Sequence, residues 1–170
     1  MRRLGLYHEP GLEAQARAVQ ASLPEFYPGL QTRSGQSKTL PRAAFDTARG
    51  RYDVHFLLDK ALSIAPYCDL ALWLVQEDIG DFWLPWVFGA AAAGKAVVSA
   101  RRLQGVEDVV KVACHEVGHL LGLGHCTDYC LMRVSRTAGQ VKLKPLALCG
   151  NCSDFVQTSL SSQALVAAQA

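Results

Sequence analysis

The chain of 170 residues lacks any apolar stretch long enough to cross a membrane as a helix. Its longest apolar stretch, residues 82–94, is interrupted by Pro85 and Gly89 and falls short of the ~20 residues that a membrane helix requires. Blocks of like charge are missing as well, since 17 basic and 15 acidic side chains give a net charge of +2. We therefore expect no membrane partner and no nucleic-acid partner.

The beginning of the sequence lacks the apolar segment of a secretory signal peptide, although it carries the basic pair Arg2 and Arg3. We therefore expect a cytoplasmic protein whose six cysteines are kept in a reducing compartment. In such a compartment, cysteines clustered as C-x3-C and C-x2-C bind metal more often than they form disulfides. A chain of this length buries about two-thirds of its unfolded surface, so we expect a single domain over residues 1–170 that needs no disulfide.

One short segment carries most of the chemistry, and it reads HEVGHLLGLGH from His115 to His125. On a helix with 3.6 residues per turn, His115 and His119 lie on one face, so both imidazoles can bind the same ion. Glu116 is displaced by a single residue, which places its carboxylate beside the ion. From there it can accept a proton from a water that the ion activates.

The rest of the segment brings a third histidine to the same ion. Gly122 can adopt a positive φ, so the helix can end there and the chain can return to present His125. Three histidine nitrogens leave one coordination position open, which is typical of catalytic rather than structural zinc. The sequence therefore predicts a catalytic zinc bound by His115, His119 and His125, with Glu116 as the general base.

The full pattern HExxHxxGxxH is the metzincin signature, in which a methionine follows the third histidine. Met132 stands seven residues after His125, and cysteines occur on both sides of it. With this arrangement the sequence resembles the archaemetzincins, small zinc metallopeptidases in which four cysteines behind the third histidine hold a second zinc. Three further segments also resemble parts of that family: Arg49–Tyr52, Val87–Gly89 and Val97–Leu103.

The resemblance implies two zinc ions per chain and an apolar floor beneath the imidazoles, formed by Met132. The second zinc would be structural, and its ligands would be Cys126, Cys130, Cys149 and Cys152. Two loops are one residue shorter than in the family pattern, with three residues between Cys126 and Cys130 and sixteen between Met132 and Cys149. The alternatives for these cysteines are buried thiols or a redox CxxC motif; the latter is expected near a βαβ pattern and leaves the other pair unexplained.

Hydrophobic periodicity predicts an α/β fold with a twisted mixed sheet backed by two or three helices. Strands are expected at residues 3–8, irregularly within 31–38, at 70–75, and in a hairpin of 86–92 and 96–100 whose first arm lies at the sheet edge. Helices are expected at residues 11–26, 53–65 and, as the active-site helix, 105–121. We expect an upper lobe at about 1–124, a lower lobe at about 125–170 closed by the cysteine zinc, and the substrate between them.

Several other residues are expected to have structural roles. Cys68 and Cys114 should be core residues, and His8 and His55 should have no part in metal binding. Some metzincins have a tyrosine two residues after the methionine, whereas this sequence has Val134 at that position, so no tyrosine can act there. The tryptophans are expected in the core, although one on the edge arm could line a cleft: Trp73, Trp83 and Trp86.

These observations favour a monomeric zinc peptidase whose peptide or protein substrate pairs antiparallel with the edge arm at residues 87–91. A non-catalytic protein with two structural zinc ions and a peptide-binding cleft is the alternative, and Glu116 argues against it because a structural site needs no such carboxylate. A zinc-ribbon-like nucleic-acid module is a weaker alternative, since the basic residues are scattered.

Overall fold

The secondary structure alternates between strands and helices in the computed structural model, which describes residues 2–61, 63, 65 and 67–167. The helices are α1 (Glu13–Phe26), α2 (Val54–Ala61), α3 (Val106–Leu120), α4 (Ala138–Leu143) and α5 (Gly150–Ala167). The strands are β1 (Arg3–His8), β2 (Gln31–Ser34), β3 (Phe45–Asp46), β4 (Arg51–Asp53), β5 (Leu70–Val75), β6 (Ile79–Gly80), β7 (Gly89–Ala92) and β8 (Lys95–Ser99).

The main sheet has five strands in the order β2-β1-β5-β8-β7. The first four are parallel to one another, and β7 pairs antiparallel with β8 at the edge. This is the mixed α/β sheet that the sequence predicts, with the hairpin arm at the edge as expected. A second, smaller sheet joins β3, β4 and β6, and its strands of two or three residues are too short for a hydrophobic period to predict.

The central strand β5 is buried at all six positions because helices cover both faces of the sheet. On one face, Leu72 and Leu74 belong to the larger core together with α1 and α3. On the other face, Trp73 packs in a second core with Leu57 of α2. A continuous apolar run with no polar side is therefore explained by its place between two helical layers.

The β7–β8 hairpin turns at Ala93 and Gly94, whose φ values of 49° and 80° are those of a two-residue turn that matches strand twist. The sequence predicts this turn one residue later, at Gly94 and Lys95. β7 also begins at Gly89 rather than at residue 86, because the N–H of Val87 bonds instead to the carbonyl of Ile79 in β6. The segment before β7 thus turns away from β8.

Helix α2, helix α5 and Trp83 also differ from what the sequence predicts. Helix α2 ends at Ala61, and Leu62, Ile64 and Pro66 lie outside the described residues. Helix α5 was not predicted, since Cys152 and Val156 are its buried residues up to position 160 and so give little periodicity. Trp83 is 83% exposed rather than in the core, because Asp81 accepts hydrogen bonds from the backbone of Trp83 and Leu84 and fixes a projecting turn. No helix among the described residues combines the length and hydrophobicity needed to span a bilayer.

Candidate metallopeptidase site

Helix α3 carries the HExxH motif through the larger core, beneath the sheet. It contacts α1, β7 and β8, so most of its residues are buried, including His115 and Glu116 at 7% and 6% exposure. The hydroxyl of Tyr27 donates a 2.7 Å hydrogen bond to the carbonyl of Cys114. The helix that supports the site is therefore held rigidly from the α1 side.

The end of α3 has the turn that the sequence predicts at Gly122. The φ of Gly122 is +98°. Its N–H donates to the carbonyl of His119 at 3.0 Å, and the N–H of Leu123 donates to the carbonyl of Gly118 at 2.9 Å. These two bonds form a Schellman motif, which requires a left-handed residue after the helix. The reversal of the chain brings His125 back toward the helix.

The structure brings the three predicted histidines together. The ligand atoms of His115, His119 and His125 all lie within 4.8 Å of one another. The ring centroids of His115 and His119 are 4.7 Å apart, and those of His119 and His125 are 4.8 Å apart. His115 is buried, His119 is half-buried and His125 is exposed, so the cluster opens from the core toward solvent.

The hydrogen bonds of the two helical histidines test whether the cluster suits a metal. His115 Nδ1 donates to the carbonyl of Leu131 at 2.9 Å, and His119 Nδ1 donates to that of Leu123 at 2.8 Å. Burial lowers the pKa of His115 to about 3 and also lowers the pKa of His119, so both rings are neutral. Each Nε2 therefore carries a lone pair.

These two Nε2 atoms face each other at 3.1 Å. Two lone pairs at this distance repel each other, and a cation between them removes the repulsion. Zinc–nitrogen bonds of about 2.0–2.1 Å can span such a separation. The donor set therefore fits zinc, with both rings oriented by backbone carbonyls as in many metal sites.

Glu116 lies beside the histidines on the wall of a cavity of about 720 Å³. The cavity is lined by the segment Trp86–Gly89 and also by Val134–Arg136 and Val141. Burial raises the pKa of Glu116 to about 8, and the charge of Lys144 opposes that rise. The site thus combines a cleft, a carboxylate and three neutral imidazoles.

Lys144 is a buried cation that no sequence pattern singles out. Its Nζ lies 3.3 Å from His115 Nδ1. Because that nitrogen carries the proton donated to Leu131, this is a contact between two donors and not a hydrogen bond. Burial lowers the pKa of Lys144 to about 8.

Met132 is fully buried, and its backbone closes the loop that begins at Cys126. The N–H of Cys126 donates to the carbonyl of Met132 at 3.0 Å, and the N–H of Leu131 donates to the carbonyl of Ala147 at 2.7 Å. Leu131 in turn accepts the hydrogen bond from His115. The loop therefore positions one of the rings directly.

The structure also brings the four predicted cysteines together, with their sulfur atoms within 4.8 Å of one another, and all six cysteines are free. Cys130 Sγ accepts hydrogen bonds from the N–H groups of Met132 at 3.4 Å and Cys149 at 3.3 Å. The backbone N–H of Cys152 lowers the pKa of the Cys149 thiol. The lowered pKa favours the thiolate of Cys149, the form that binds zinc, whereas burial raises the pKa of Cys152.

The other residues discussed from the sequence lie in several different parts of the fold. Cys114 is fully buried, whereas Cys68 is only half-buried. His8 and His55 are outside both clusters, and His55 pairs with Asp81 at 3.4 Å. Trp73 is in the core, and Trp86 lines the cavity, with its ring 4.6 Å from the guanidinium of Arg102.

This combination of a mixed sheet, an active-site helix and a third histidine after a glycine turn defines the metzincin class of zinc metallopeptidases. Peptidase family M54 matches residues 96–158. The archaemetzincin of Methanopyrus kandleri is 32% identical over 160 residues, which cover 89% of this chain and 91% of the relative. That of Nanoarchaeum equitans is 39% identical over 115 residues, 66% of each protein.

Solved structures agree with these relatives. The crystal structure of the Methanopyrus kandleri archaemetzincin has a TM-score of 0.85 and 31% identity, covering 94% of this chain and 96% of that one. The Archaeoglobus fulgidus archaemetzincin, complexed with malonate, has a TM-score of 0.79 and 26% identity, covering 90% and 99%. The chain belongs to the archaemetzincin family and is a zinc metallopeptidase.

Proposed function

We propose that this protein hydrolyses peptide bonds with one zinc held by His115, His119 and His125 and with Glu116 as the general base. The facing Nε2 atoms of His115 and His119, beside a carboxylate on a cavity wall, carry this proposal. Zinc bound there supplies Lewis acidity, which activates a water and polarises a peptide carbonyl.

The protein residues have separate tasks in this scheme. Glu116 accepts a proton from the attacking water and passes it to the amine of the leaving product. His115 and His119 keep their orientation through the carbonyls of Leu131 and Leu123. Burial disfavours the carboxylate form of Glu116, and a divalent cation in the adjacent cluster favours it, so metal binding prepares the base.

A second zinc, held by Cys126, Cys130, Cys149 and Cys152, serves as the core of the lower lobe in this proposal. Four thiolates complete its coordination, so it has no open position for substrate. The lobe at residues 125–170 then faces the upper lobe at residues 1–124 across the cavity. We place the active monomer in the reducing cytoplasm, where the cysteines remain available as ligands.

The substrate is proposed to bind in extended form along β7 at residues 89–91, because the N–H of Val87 just before this strand is already bonded to the carbonyl of Ile79. An edge strand offers unpaired backbone groups and pairs with a peptide without regard to its sequence. The cavity beside residues 87–91 then receives one of the substrate side chains. Its apolar lining from Trp86, Phe88, Val112 and Val141 suits an apolar one.

Metal analysis and peptide cleavage test the proposal together. Protein purified without added metal should contain two zinc ions per chain and should cleave peptides from a defined mixture, as followed by mass spectrometry. A chelator should stop cleavage, and added zinc should restore it. A zinc-loaded protein that cleaves none of the peptides would contradict the proposal.

The non-catalytic alternative makes a different prediction about the histidine site. With an open position, a zinc held by three histidines should bind a hydroxamate in bidentate fashion, whereas the four-cysteine zinc should not. Cobalt substitution makes the binding visible by absorption. If the cobalt at the histidines does not respond to hydroxamate, the site is closed and the structural alternative is favoured.

A further inference from the structure

Gly89, the first residue of β7, lies directly against Glu116. A Cβ atom on Gly89 would be 2.7 Å from Oε1, 2.8 Å from Cγ and 2.9 Å from Cδ of Glu116. Cβ atoms in proteins essentially never approach other heavy atoms within 3.0 Å. Any side chain at position 89 would therefore compete with Glu116 for the same space.

Packing, and not hydrogen bonding, limits how closely the Glu116 carboxylate can approach β7. Within the part of the chain that the structure describes, no group donates a hydrogen bond to it, and Lys144 acts on it through charge alone. Glu116 and Gly89 both line the cavity, whose empty space gives the carboxylate room to move away from β7. The bare backbone of Gly89 is the wall that it rests against.

The same residue lies on the edge proposed to receive the substrate. Gly89 is opposite Val98 in the β7–β8 ladder, and the carbonyl of the preceding Phe88 accepts a hydrogen bond from Ser99. Because backbone groups of an antiparallel ladder point alternately toward and away from the partner strand, those of Gly89 point to the open edge. Gly89 is thus between the general base and the position of an added peptide strand.

We propose that Gly89 is a positioning residue for hydrolysis: its lack of a side chain lets β7 approach α3 closely enough to set the Glu116 carboxylate beside both the histidines and the substrate backbone. The inference rests on the proposed function and adds to it a residue that acts through Glu116.

The size of the effect follows from the distances. To restore an ordinary contact of 3.4 Å after a methyl group is added at position 89, Glu116 Oε1 must retreat by about 0.7 Å. Displacements of this order at a reacting group lower rates by about 10- to 100-fold. Since the backbone that would pair with substrate is unchanged, we expect Gly89→Ala to lower kcat by about that factor and to leave KM within about twofold.

The experiment compares wild type and Gly89→Ala on a peptide that the wild type cleaves, with zinc content measured for both. Gly139→Ala in α4 is the matched control, because its Cβ would meet nothing closer than Thr137 Oγ1 at 3.9 Å and its position is outside the cavity. The control should keep the wild-type kcat and KM. A crystal structure of zinc-loaded Gly89→Ala should show the Glu116 carboxylate moved toward the cavity.

Two results would overturn the inference: a kcat for Gly89→Ala within about twofold of wild type, or a Glu116 carboxylate that keeps its wild-type position in the variant. If Gly89→Ala does not fold, the double variant with Glu116→Ala decides, since removing the clashing side chain should restore folding. If the double variant also fails to fold, the added methyl group clashes with something other than the side chain of Glu116, and the inference is overturned. If wild type cleaves no peptide, the proposed function fails, while the crystal structure of Gly89→Ala still tests the contact.

Discussion

Met132 packs against the backbone of Gly118, so closely that a Cβ atom on Gly118 would be 2.5 Å from Met132 Sδ. The same Cβ would be 2.9 Å from the hydroxyl of Tyr27. The methionine after the third histidine therefore lies under the active-site helix one residue before His119, with a glycine above it.

Gly118→Ala should therefore destabilise the protein, although alanine is the better helix former. Overpacking of a filled core costs about 1–3 kcal/mol, and the relaxation should shift Met132 beneath the histidines. Gly139→Ala, where the added methyl group has room, should be neutral or slightly stabilising. Thermal melting of the two zinc-loaded variants makes the comparison. Equal melting temperatures for Gly118→Ala and wild type would contradict the packing argument.

The stability cost of Tyr27→Phe should decrease as pH rises. At neutral pH the variant loses the hydrogen bond to the carbonyl of Cys114, at a cost of about 0.5–1.5 kcal/mol. Burial raises the pKa of Tyr27 well above its ordinary value of 10.0, so the unfolded chain releases this proton at a lower pH than the folded one. The stability of the wild type therefore includes a contribution that is complete below the unfolded pKa and is lost as pH rises toward the folded pKa.

The gap in melting temperature between wild type and Tyr27→Phe should accordingly narrow as pH rises above about 10. Tyr67→Phe serves as the control, because Tyr67 is 82% exposed. It should melt like wild type at neutral pH. A gap for Tyr27→Phe that stays constant or widens in alkali would show that its hydroxyl is not held protonated by burial.

Glu116→Gln should keep zinc at the histidines but lose hydrolysis. The amide is nearly isosteric with the carboxylate and cannot accept the proton of water at neutral pH, so kcat should fall by about 10²- to 10⁴-fold. Zinc content and kcat are measured on the same preparation. Cleavage at the wild-type rate by the zinc-loaded variant would rule out Glu116 as the base.

Replacing Cys149 and Cys152 with Ser should affect stability before chemistry. The segment around these residues has few apolar side chains to bury, so the ion that anchors it contributes to folding directly. We expect loss of one zinc per chain and a marked drop in melting temperature. Cys68→Ser, outside both clusters, should retain the full zinc content. If the double variant keeps both the wild-type melting temperature and the full zinc content, Cys149 and Cys152 do not hold a structural zinc.

The sequence predicts those parts of the site that depend on local geometry. His115 and His119 are one helical turn apart, and only a residue that tolerates a left-handed conformation at Gly122 can turn the chain back to His125, so the spacing alone determines the cluster. The central strand β5 is predictable for a similar reason, because a continuous apolar run of strand length indicates a strand buried on both faces.

Contacts made between distant segments have no such local signal. The approach of Gly89 to Glu116 depends on how β7 crosses α3, and the burial of Lys144 depends on where α4 ends. The hydrophobicity of Trp83 predicts a core position, but its side chain is exposed. The turn that contains it is held by hydrogen bonds to Asp81, a contact that hydrophobicity does not report. Helix α5 was missed because a helix that begins among metal ligands can be stable with few buried apolar residues.

Cys130, Leu131 and Met132 make three different attachments in consecutive positions: a sulfur in the cysteine cluster, a carbonyl on the ring of His115, and a thioether under Gly118. An insertion or deletion inside this tripeptide would shift all three at once. The two loops on either side of it span residues 127–129 and 133–148. Evolutionary changes in chain length around this site should therefore be confined to those loops, while the tripeptide itself keeps a fixed length.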